Sequence, residues 1–206
     1  MMHRFFTIRP EAPPRAVLEQ WYSTSPLGKR LREQLNKDMG VILDQWFGYN
    51  LLVIGPNTDI PISEMTRVRR VLQVLDREQQ LRKGYTGVYA HDEELPLETE
   101  SVDVVVVLNA LDLSAHPHQL LREVHRVLTP HGHLLIVGTN GWSISGLWHR
   151  LVRLVPGYRS EYARAPGLRR LEDWLTLLEF AIAPVRHKLV VPAAGSSRWT
   201  RWLVSV

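Results

Sequence analysis

The feature that most constrains this chain is an almost unbroken apolar, β-branched run from Val102 to Leu108. A second apolar run, from His133 to Val137, follows after one intervening amphipathic segment. Runs of this kind are typical of strands that are buried on both faces of a parallel sheet. The chain is therefore expected to contain such a sheet, with helices covering both of its faces.

The segment between the two runs predicts a helix. His116 or Ser114 can cap it, and Pro117 fits its first turn. One apolar stripe follows at helical spacing, formed by Leu120, Leu121, Val124, Val127 and Leu128. Helix-breaking residues, Thr129, Pro130 and Gly132, are expected to end the helix and turn the chain back into the sheet. The whole predicts a right-handed βαβ unit.

Strands and helices are predicted to alternate along the rest of the chain. Short apolar runs predict strands at 51–54, 71–75, 181–191 and 202–206, besides the strand that begins near Gly87. Helices are predicted at 143–155 and at 168–180, the latter with a stripe of Leu171, Trp174, Leu175 and Leu178.

An N-terminal helix is predicted to begin at Ser25-Pro26 and to end near Gly48. Its expected apolar stripe consists of Leu27, Leu31, Leu35, Ile42 and Trp46. With 206 residues the chain is expected to form a single domain. We divide it into an N-terminal helical cap (1–49), a core (50–140) and a C-terminal half with substrate-side elements (141–206).

Composition excludes several classes of site. The absence of cysteine rules out disulfides, thiolate nucleophiles and iron–sulfur clusters, and it fits a reducing compartment. No metal site is expected, because the five histidines between His116 and His133 lack metal-ligand spacing. Neither a signal-peptide core nor a run of transmembrane length is evident, so a cytoplasmic location is expected.

Charge is distributed unevenly along the chain. The segment 150–201 carries ten basic and four acidic residues. This arginine-rich C-terminal face could receive an anionic or protein partner, or it could be a solvated surface of an arginine-rich protein. It lacks the interleaved aromatic residues of nucleic-acid-binding motifs, so a nucleic-acid partner is disfavoured.

Several of these segments resemble the class I S-adenosylmethionine (SAM)-dependent methyltransferases, in the branch called methyltransferase type 11. The resemblance is carried by an acidic residue and Leu-Pro turn after the third strand (Asp92, Glu93, Leu95, Pro96), by Ser101-Val102-Asp103, and by residues 121–133. The segments 21–28, 47–49 and 141–147 look like a small bacterial subgroup. This likeness implies a Rossmann-like, doubly wound, mostly parallel sheet in three αβα layers, with strand order 3-2-1-4-5-7-6.

The resemblance also implies a site for SAM beyond the carboxyl ends of strands one and four. The expected cofactor-binding residues are Gly55, Asn57, Asp76, Asp92, Glu93, Leu95 and Asn109. Asp76 would accept hydrogen bonds from the ribose and Asp92 from the adenine amino group. The loop from Gly55 to Pro61 has one glycine where the family has several. Only about fifteen residues separate Gly55 from strand two, and Pro61 interrupts them, so the helix that follows the loop in the family is expected to be short or absent.

Fewer residues suggest how a methyl acceptor would be handled. His116 and His118 are the candidate catalytic bases, although both could simply be surface residues at a helix start. Trp142 and Asn140 are the candidate substrate contacts. The fourth strand ends without an Asn-Pro-Pro-aromatic motif, which disfavours methylation of nucleobase or protein amide nitrogens.

Two functions remain open at this point. The first is a SAM-dependent methyltransferase acting on an unidentified small molecule. The second is an inactive pseudo-methyltransferase that serves as a binding or scaffolding subunit, which the degenerate glycine loop favours.

Overall fold

The computed structural model describes residues 14–56, 59–75, 81, 83–91, 94–138 and 167–182. Its elements in chain order are α1 (Pro14–Thr24), α2 (Pro26–Leu43), β1 (Asn50–Ile54), α3 (Ile62–Met65), β2 (Arg70–Leu75), β3 (Thr86–Tyr89), β4 (Val102–Leu108), α4 (Ala110–Leu113), α5 (Pro117–Val127), β5 (Leu128–Val137) and α6 (Leu168–Leu177). The predicted helix at 143–155 and the predicted strand at 202–206 lie outside the described residues.

The five strands form one sheet in the order β3-β2-β1-β4-β5, and every neighbouring pair is parallel. The predicted Rossmann-like fold class is thus confirmed, with β1 at the centre. Of the predicted sixth strand, Ala181 and Ile182 are described and are not in a strand, while its remaining residues lie outside the described ranges. The position of strands six and seven stays a prediction.

The sheet is covered on both faces because β4 and its neighbours are apolar on both sides. Val105 and Val107 pack in a cluster with α5, whereas Val104 and Val106 pack in a second cluster with α2. All four valines are fully buried. This double burial explains why β4 reads as a continuous apolar run.

Helix α5 begins at Pro117, as predicted, with His116 at the capping position. The His116 side chain makes no capping hydrogen bond; instead, the Ser114 hydroxyl accepts one from the His116 backbone N–H at 3.0 Å. The predicted stripe is fully buried at Leu120, Leu121, Val124 and Val127. Burial of these four side chains fixes α5 against the sheet.

Strand β5 begins directly where α5 ends. Leu128 directly follows the helix and already pairs with Val102, so β5 is longer than the predicted strand from His133 to Val137. The register then shifts, because His133 pairs with Val104. The residues expected to form the turn, which include Pro130, lie in this irregular part of β5. Proline is tolerated there because a strand irregularity leaves backbone groups unpaired.

Helix α2 has the predicted start but not the predicted end. The Ser25 hydroxyl accepts a hydrogen bond from the Gly28 backbone N–H at 3.4 Å, and Pro26 opens the first turn. The helix ends at Leu43, several residues before Gly48. Its buried side chains are Met39 and Leu43 rather than Ile42, because the helix meets the sheet on the line of Leu35, Met39 and Leu43.

Gly48 has a different role from the predicted helix stop. A side chain at Gly48 would collide with the Asp103 side chain. The Asp103 carboxylate accepts hydrogen bonds from the backbone N–H groups of Tyr49 (2.7 Å) and Asn50 (2.9 Å). This contact ties the start of β1 to the start of β4.

Helix α6 ends at Leu177, three residues short of the predicted end. The predicted stripe, Leu171, Trp174, Leu175 and Leu178, packs against the α5 side of the core. In the described ranges, no helix is long and apolar enough to cross a membrane. Within the same ranges, no three histidine, aspartate or glutamate side chains come together as a metal site.

Candidate active site

The direction of winding reverses between β1 and β4, and Gly55 and Asn109 lie at that point. Gly55 follows β1 with a φ of +132°, and a side chain there would collide with the Leu108 carbonyl oxygen at the end of β4. Only glycine can occupy such a position without strain. The two predicted cofactor residues Gly55 and Asn109 are thus brought together at the carboxyl ends of the central strands, where open α/β sheets bind ligands.

Asn109 adopts the left-handed conformation, with a φ of +50°. Asparagine tolerates this conformation better than most residues, since its short polar side chain can bond locally. Its backbone N–H donates to the Val137 carbonyl at 2.7 Å, and its own carbonyl accepts from the Asp112 N–H at 3.2 Å. The backbone at Asn109 therefore turns sharply from β4 into α4.

A buried chain of hydrogen bonds crosses this turn. The Tyr22 hydroxyl donates to Asn109 Oδ1 at 3.2 Å, and Asn109 Nδ2 donates to Asp112 Oδ2 at 2.9 Å. The three residues are 3%, 3% and 7% exposed, respectively. Helix α1 of the N-terminal cap is thereby attached to the carboxyl end of β4.

The surroundings of Tyr22 change its acidity. Burial raises the pKa of Tyr22 to about 12, and the negative charge of Asp112 adds to the effect. The Tyr22 hydroxyl therefore stays protonated, and able to donate, to a higher pH than an exposed tyrosine would.

Neither Tyr22 nor Asp112 was among the site residues predicted from the sequence. Tyr22 lies in the segment 21–28 that carried part of the resemblance, but its partners are far away along the chain. Asp112 is a single acid in the apolar stretch that follows β4. A single acid in an apolar stretch was the one feature of the sequence that could have indicated a site residue here.

A second group of residues secures the loop between β3 and β4. Arg126 donates to the carbonyl oxygens of Leu95 and Leu97, both at 2.9 Å, and pairs with both oxygens of Glu123 at 2.8 and 2.9 Å. Glu123 also accepts from the Leu95 backbone N–H at 3.1 Å. The hydrogen bond from Arg126 holds the pKa of Glu123 below its ordinary value. The Leu-Pro turn is thus bound to α5.

The predicted cofactor residue Leu95 has its side chain in the hydrophobic core, where it is 5% exposed. Its backbone borders a cleft of about 850 Å³ between this loop and the start of α5. The residues lining the cleft include Glu94, Pro96, His116, His118, Gln119 and Arg122. Both candidate bases therefore lie on the same cleft as the Leu-Pro turn.

The candidate base His118 also contacts α6. Its ring centroid lies 3.5 Å from that of Trp174, with the rings tilted by 46°. The Arg170 guanidinium lies 5.7 Å from the centroid of the same Trp174 ring. His118 is therefore packed against a neighbouring helix, although part of it stays exposed to the cleft.

The remaining predicted site residues lie outside the described residues. These are Asn57, Asp76, Asp92 and Glu93 around the expected cofactor, and Asn140 and Trp142 on the expected acceptor side. Their roles stay predictions. In the sheet, β2, which precedes Asp76, lies beside β1, and β3, which precedes Asp92, lies beside β2.

The helix after β1 is short, as expected from the sequence. Helix α3 has only four residues and is preceded by Pro61. Ile60 and Ile62 are fully buried beside α2, and the Tyr85 hydroxyl accepts a hydrogen bond from the Ser63 backbone N–H at 3.3 Å. Residues 60–65 therefore form a packed turn rather than a long helix.

The sequence of this chain is similar to those of known proteins. Residues 59–136 match a family of methyltransferase domains. The chain is 31% identical over 181 residues to the uncharacterized protein YafS of Escherichia coli K12, covering 87% of this chain and 72% of YafS.

Solved structures share the fold. A possible histamine N-methyltransferase from Thermotoga maritima superposes with a TM-score of 0.62 at 17% identity, covering 82% of each chain. A chain of the complex between the Haloferax volcanii Trm112 methyltransferase activator and a methyltransferase gives a TM-score of 0.61 at 14% identity, covering 89% of this chain and 88% of that one. The chain therefore belongs with YafS in a family that carries this methyltransferase domain, and it has the fold of the class I SAM-dependent methyltransferases.

Proposed function

We propose that this protein is an active SAM-dependent methyltransferase whose acceptor is a small molecule. The observation that carries the proposal is the contact of Gly55 with the Leu108 carbonyl oxygen, directly before the left-handed Asn109. It brings the backbone turns of Gly55 and Asn109 together at the switch point, where a nucleoside ligand of this fold class is held. Family membership supports the same cofactor.

The residues that are present fit SAM in their chemistry. Gly55 lets the end of β1 approach the end of β4, because a Cβ there would meet the Leu108 carbonyl oxygen, and this packing holds the Gly55 backbone at the switch point. Asp76 and Asp92 would accept hydrogen bonds from ribose and adenine, with Glu93 and the Leu95 backbone beside the ring. Asn57 and Asn109 would border the methionine end. When bound, SAM supplies an electrophilic methyl group.

The short loop after β1 changes which part of SAM is expected to contribute most to binding. Because α3 is a single turn and Ile60 and Ile62 are buried, the loop offers less backbone to the methionine end than a glycine-rich turn would. We therefore expect binding to depend mainly on the adenine and ribose side.

The chain's own contribution to methyl transfer is to align the acceptor and, where the acceptor carries a proton, to remove it. His116 and His118 line the cleft beside the Leu-Pro turn, so either imidazole could take a proton from an acceptor hydroxyl. Contact with Trp174 restricts the His118 ring, which suits a base that must keep one orientation. Asn140 and Trp142 would contact the acceptor.

A scaffolding role is the competing proposal, and the short loop after β1 is the feature that favours it. In that case a protein partner would bind, for example through the arginine-rich C-terminal face. A structure of similar fold is seen in the Haloferax complex together with a methyltransferase activator, so this fold is compatible with a protein partner.

Calorimetric titration with SAM and with S-adenosylhomocysteine tests the proposal. We expect both compounds to bind at a single site. A folded sample that binds neither compound would overturn the enzyme and favour the scaffold.

A further inference from the structure

Two exposed aromatic side chains lie just before β1, at the edge of the sheet where the parallel strands begin. Phe47 is 65% exposed and Tyr49 is 71% exposed. Gly48, between them, packs so closely on Asp103 that a Cβ there would collide with the Asp103 side chain. Asp103 also accepts a hydrogen bond from the Tyr49 backbone N–H at 2.7 Å. The middle of the loop is thus fixed against the start of β4, while both rings face solvent.

Three exposed arginines from another part of the chain lie beside these rings. Arg67 and Arg69 precede β2 and Arg70 begins it, and β2 pairs with β1. The backbone N–H groups of Arg69 and Arg70 donate to the carbonyl oxygens of Gly48 (3.2 Å) and Tyr49 (2.9 Å). The two segments therefore form one surface. We call it the amino-edge patch and define it by Phe47, Tyr49, Arg67, Arg69 and Arg70.

Arg67 holds the Phe47 ring in place. Its guanidinium donates to both oxygens of Asp44, at 2.7 and 3.0 Å, and lies over the Phe47 ring, 5.5 Å from the ring centroid. A cation over the face of an aromatic ring is attracted by the ring electrons. Since the Phe47 side chain is nevertheless largely exposed, its other face is open to a planar group.

The amino-edge patch has a surplus of positive charge. The charge of Arg67 is offset by Asp44, whereas Arg69 and Arg70 make no ion pair within the described residues. Exposed guanidinium groups of this kind match the geometry of phosphate. The patch thus combines two cations suited to phosphate with two rings suited to stacking.

We propose that the amino-edge patch binds single-stranded nucleic acid, with Arg69 and Arg70 contacting phosphates and Phe47 and Tyr49 stacking on bases. Proteins that bind single strands without sequence preference use this combination of cations and aromatic rings. A lipid surface fits less well, because it requires an apolar face free of charge, whereas here Arg67 covers Phe47.

The tertiary structure supplies the interleaving of cations and rings, by joining residues 47–49 to residues 67–70. It is not readable from either segment alone, and the expectation for the segment 150–201 does not bear on it. The patch lies at the amino ends of the strands, whereas Gly55 and Asn109 lie at the carboxyl ends of β1 and β4. The inference is therefore independent of the proposed function.

Fluorescence anisotropy with a labelled oligothymidine of about 12 nucleotides tests the inference, in about 50 mM salt and without SAM. We expect the folded parent to bind, and to bind less tightly as salt rises. An abasic strand of the same length and charge is the matched probe, because it keeps the phosphates and lacks the bases. It should bind about tenfold more weakly, since it offers no stacking.

The rings and the arginines should give different signatures. Phe47→Ala and Tyr49→Ala should each weaken oligothymidine binding about tenfold, with the salt dependence unchanged, and Phe47→Trp should bind as the parent does. The double variant Arg69→Ala/Arg70→Ala should reduce the slope of log affinity against log salt by about 1.4, the value for two phosphate contacts of a single strand.

Two exposed residues elsewhere provide controls. Tyr89 is 70% exposed at the end of β3, and Arg30 is exposed on α2. Tyr89→Ala and Arg30→Ala should therefore bind oligothymidine as the parent does. Circular dichroism shows which variants are folded; if the double arginine variant is not, Phe47→Ala decides, because its side chain lies mostly in solvent.

A folded parent that does not bind oligothymidine would overturn the inference, and so would binding that folded Phe47→Ala leaves unchanged. Equal affinity for the abasic strand would overturn it too, because the patch would then recognise charge alone. Co-sedimentation with phosphatidylserine vesicles that depends on Phe47, without oligothymidine binding, would replace it with a membrane surface. None of these results affects the titration with SAM, so the proposed function stands or falls separately.

Discussion

Gly55 lies so close to Leu108 that a side chain at Gly55 would collide with the Leu108 carbonyl oxygen. This contact joins the ends of β1 and β4, the two central strands around which the candidate site is built. The conformation of Gly55, with a φ of +132°, is one that residues with a side chain rarely adopt. Both facts lead to a direct test by substitution.

Gly55→Ala should lower the free energy of unfolding by about 2–3 kcal/mol, because it adds backbone strain to a steric collision. Chemical denaturation followed by circular dichroism measures the loss. Gly40→Ala is the matched control, since Gly40 is inside α2 and a Cβ there would meet nothing within 4 Å. Alanine should stabilise that helix by about 0.5–1 kcal/mol. Equal effects at both positions would contradict our account of the Gly55 turn.

Arg126→Lys should destabilise the protein by about 1–2 kcal/mol, because lysine cannot reproduce the planar, two-pronged contact with Glu123 while also reaching the Leu95 and Leu97 carbonyl oxygens. Thermal unfolding measures the difference. Arg122→Lys, an exposed arginine on the same helix, should change stability by less than about 0.5 kcal/mol. If the two substitutions cost the same, Arg126 does not secure the loop.

We expect Tyr22 to make the free energy of unfolding fall as the pH rises above about 10. Its pKa of about 12 in the folded protein exceeds the ordinary value of 10, so the folded state holds this proton more tightly. The resulting stabilisation is complete below about pH 10 and disappears between pH 10 and 12, and it amounts to about 2–3 kcal/mol. Tyr22→Phe should lack this component. The ultraviolet titration of the parent minus that of Tyr22→Phe should isolate the ionisation of Tyr22, with a midpoint near pH 12. A midpoint near pH 10 would contradict the burial of Tyr22.

Asp76→Ala and Asp92→Ala should each weaken SAM binding, because each removes an acceptor for a ligand donor, at a cost of about 1–3 kcal/mol. Calorimetric titration measures the affinity, and the far-ultraviolet circular dichroism should not change. Asp173→Ala serves as the surface control. Parent-like affinity in both variants would show that the cofactor lies elsewhere.

Adenosine should raise the melting temperature about as much as SAM or S-adenosylhomocysteine when each is present at millimolar concentration. We expect this because the short loop from Gly55 to Pro61 offers little to the methionine end. Ligand at a hundred times its dissociation constant adds about 2.7 kcal/mol, which differential scanning fluorimetry detects. A large shift with SAM and none with adenosine would show that the loop binds the methionine end strongly.

The sequence by itself determined the central part of the fold. The apolar run of β4, the stripe of α5 and the stripe of α6 were all readable, because an element buried on one stripe or on two faces must show that burial in its residue pattern. The capping signal at Ser25 and the shortness of α3 were likewise readable from local residues. These features depend on neighbours that are close along the chain.

Only the tertiary structure decided the rest. Helix α2 ends at Leu43 because the chain must then reach the start of β1, and Gly48 is needed where it meets Asp103. Pro130 falls inside β5 since the register shift there leaves room for it. Tyr22, Asn109 and Asp112 come together because α1 covers the carboxyl end of β4. Such contacts join residues far apart along the chain, and no local pattern records which distant side chain will complete a buried hydrogen bond.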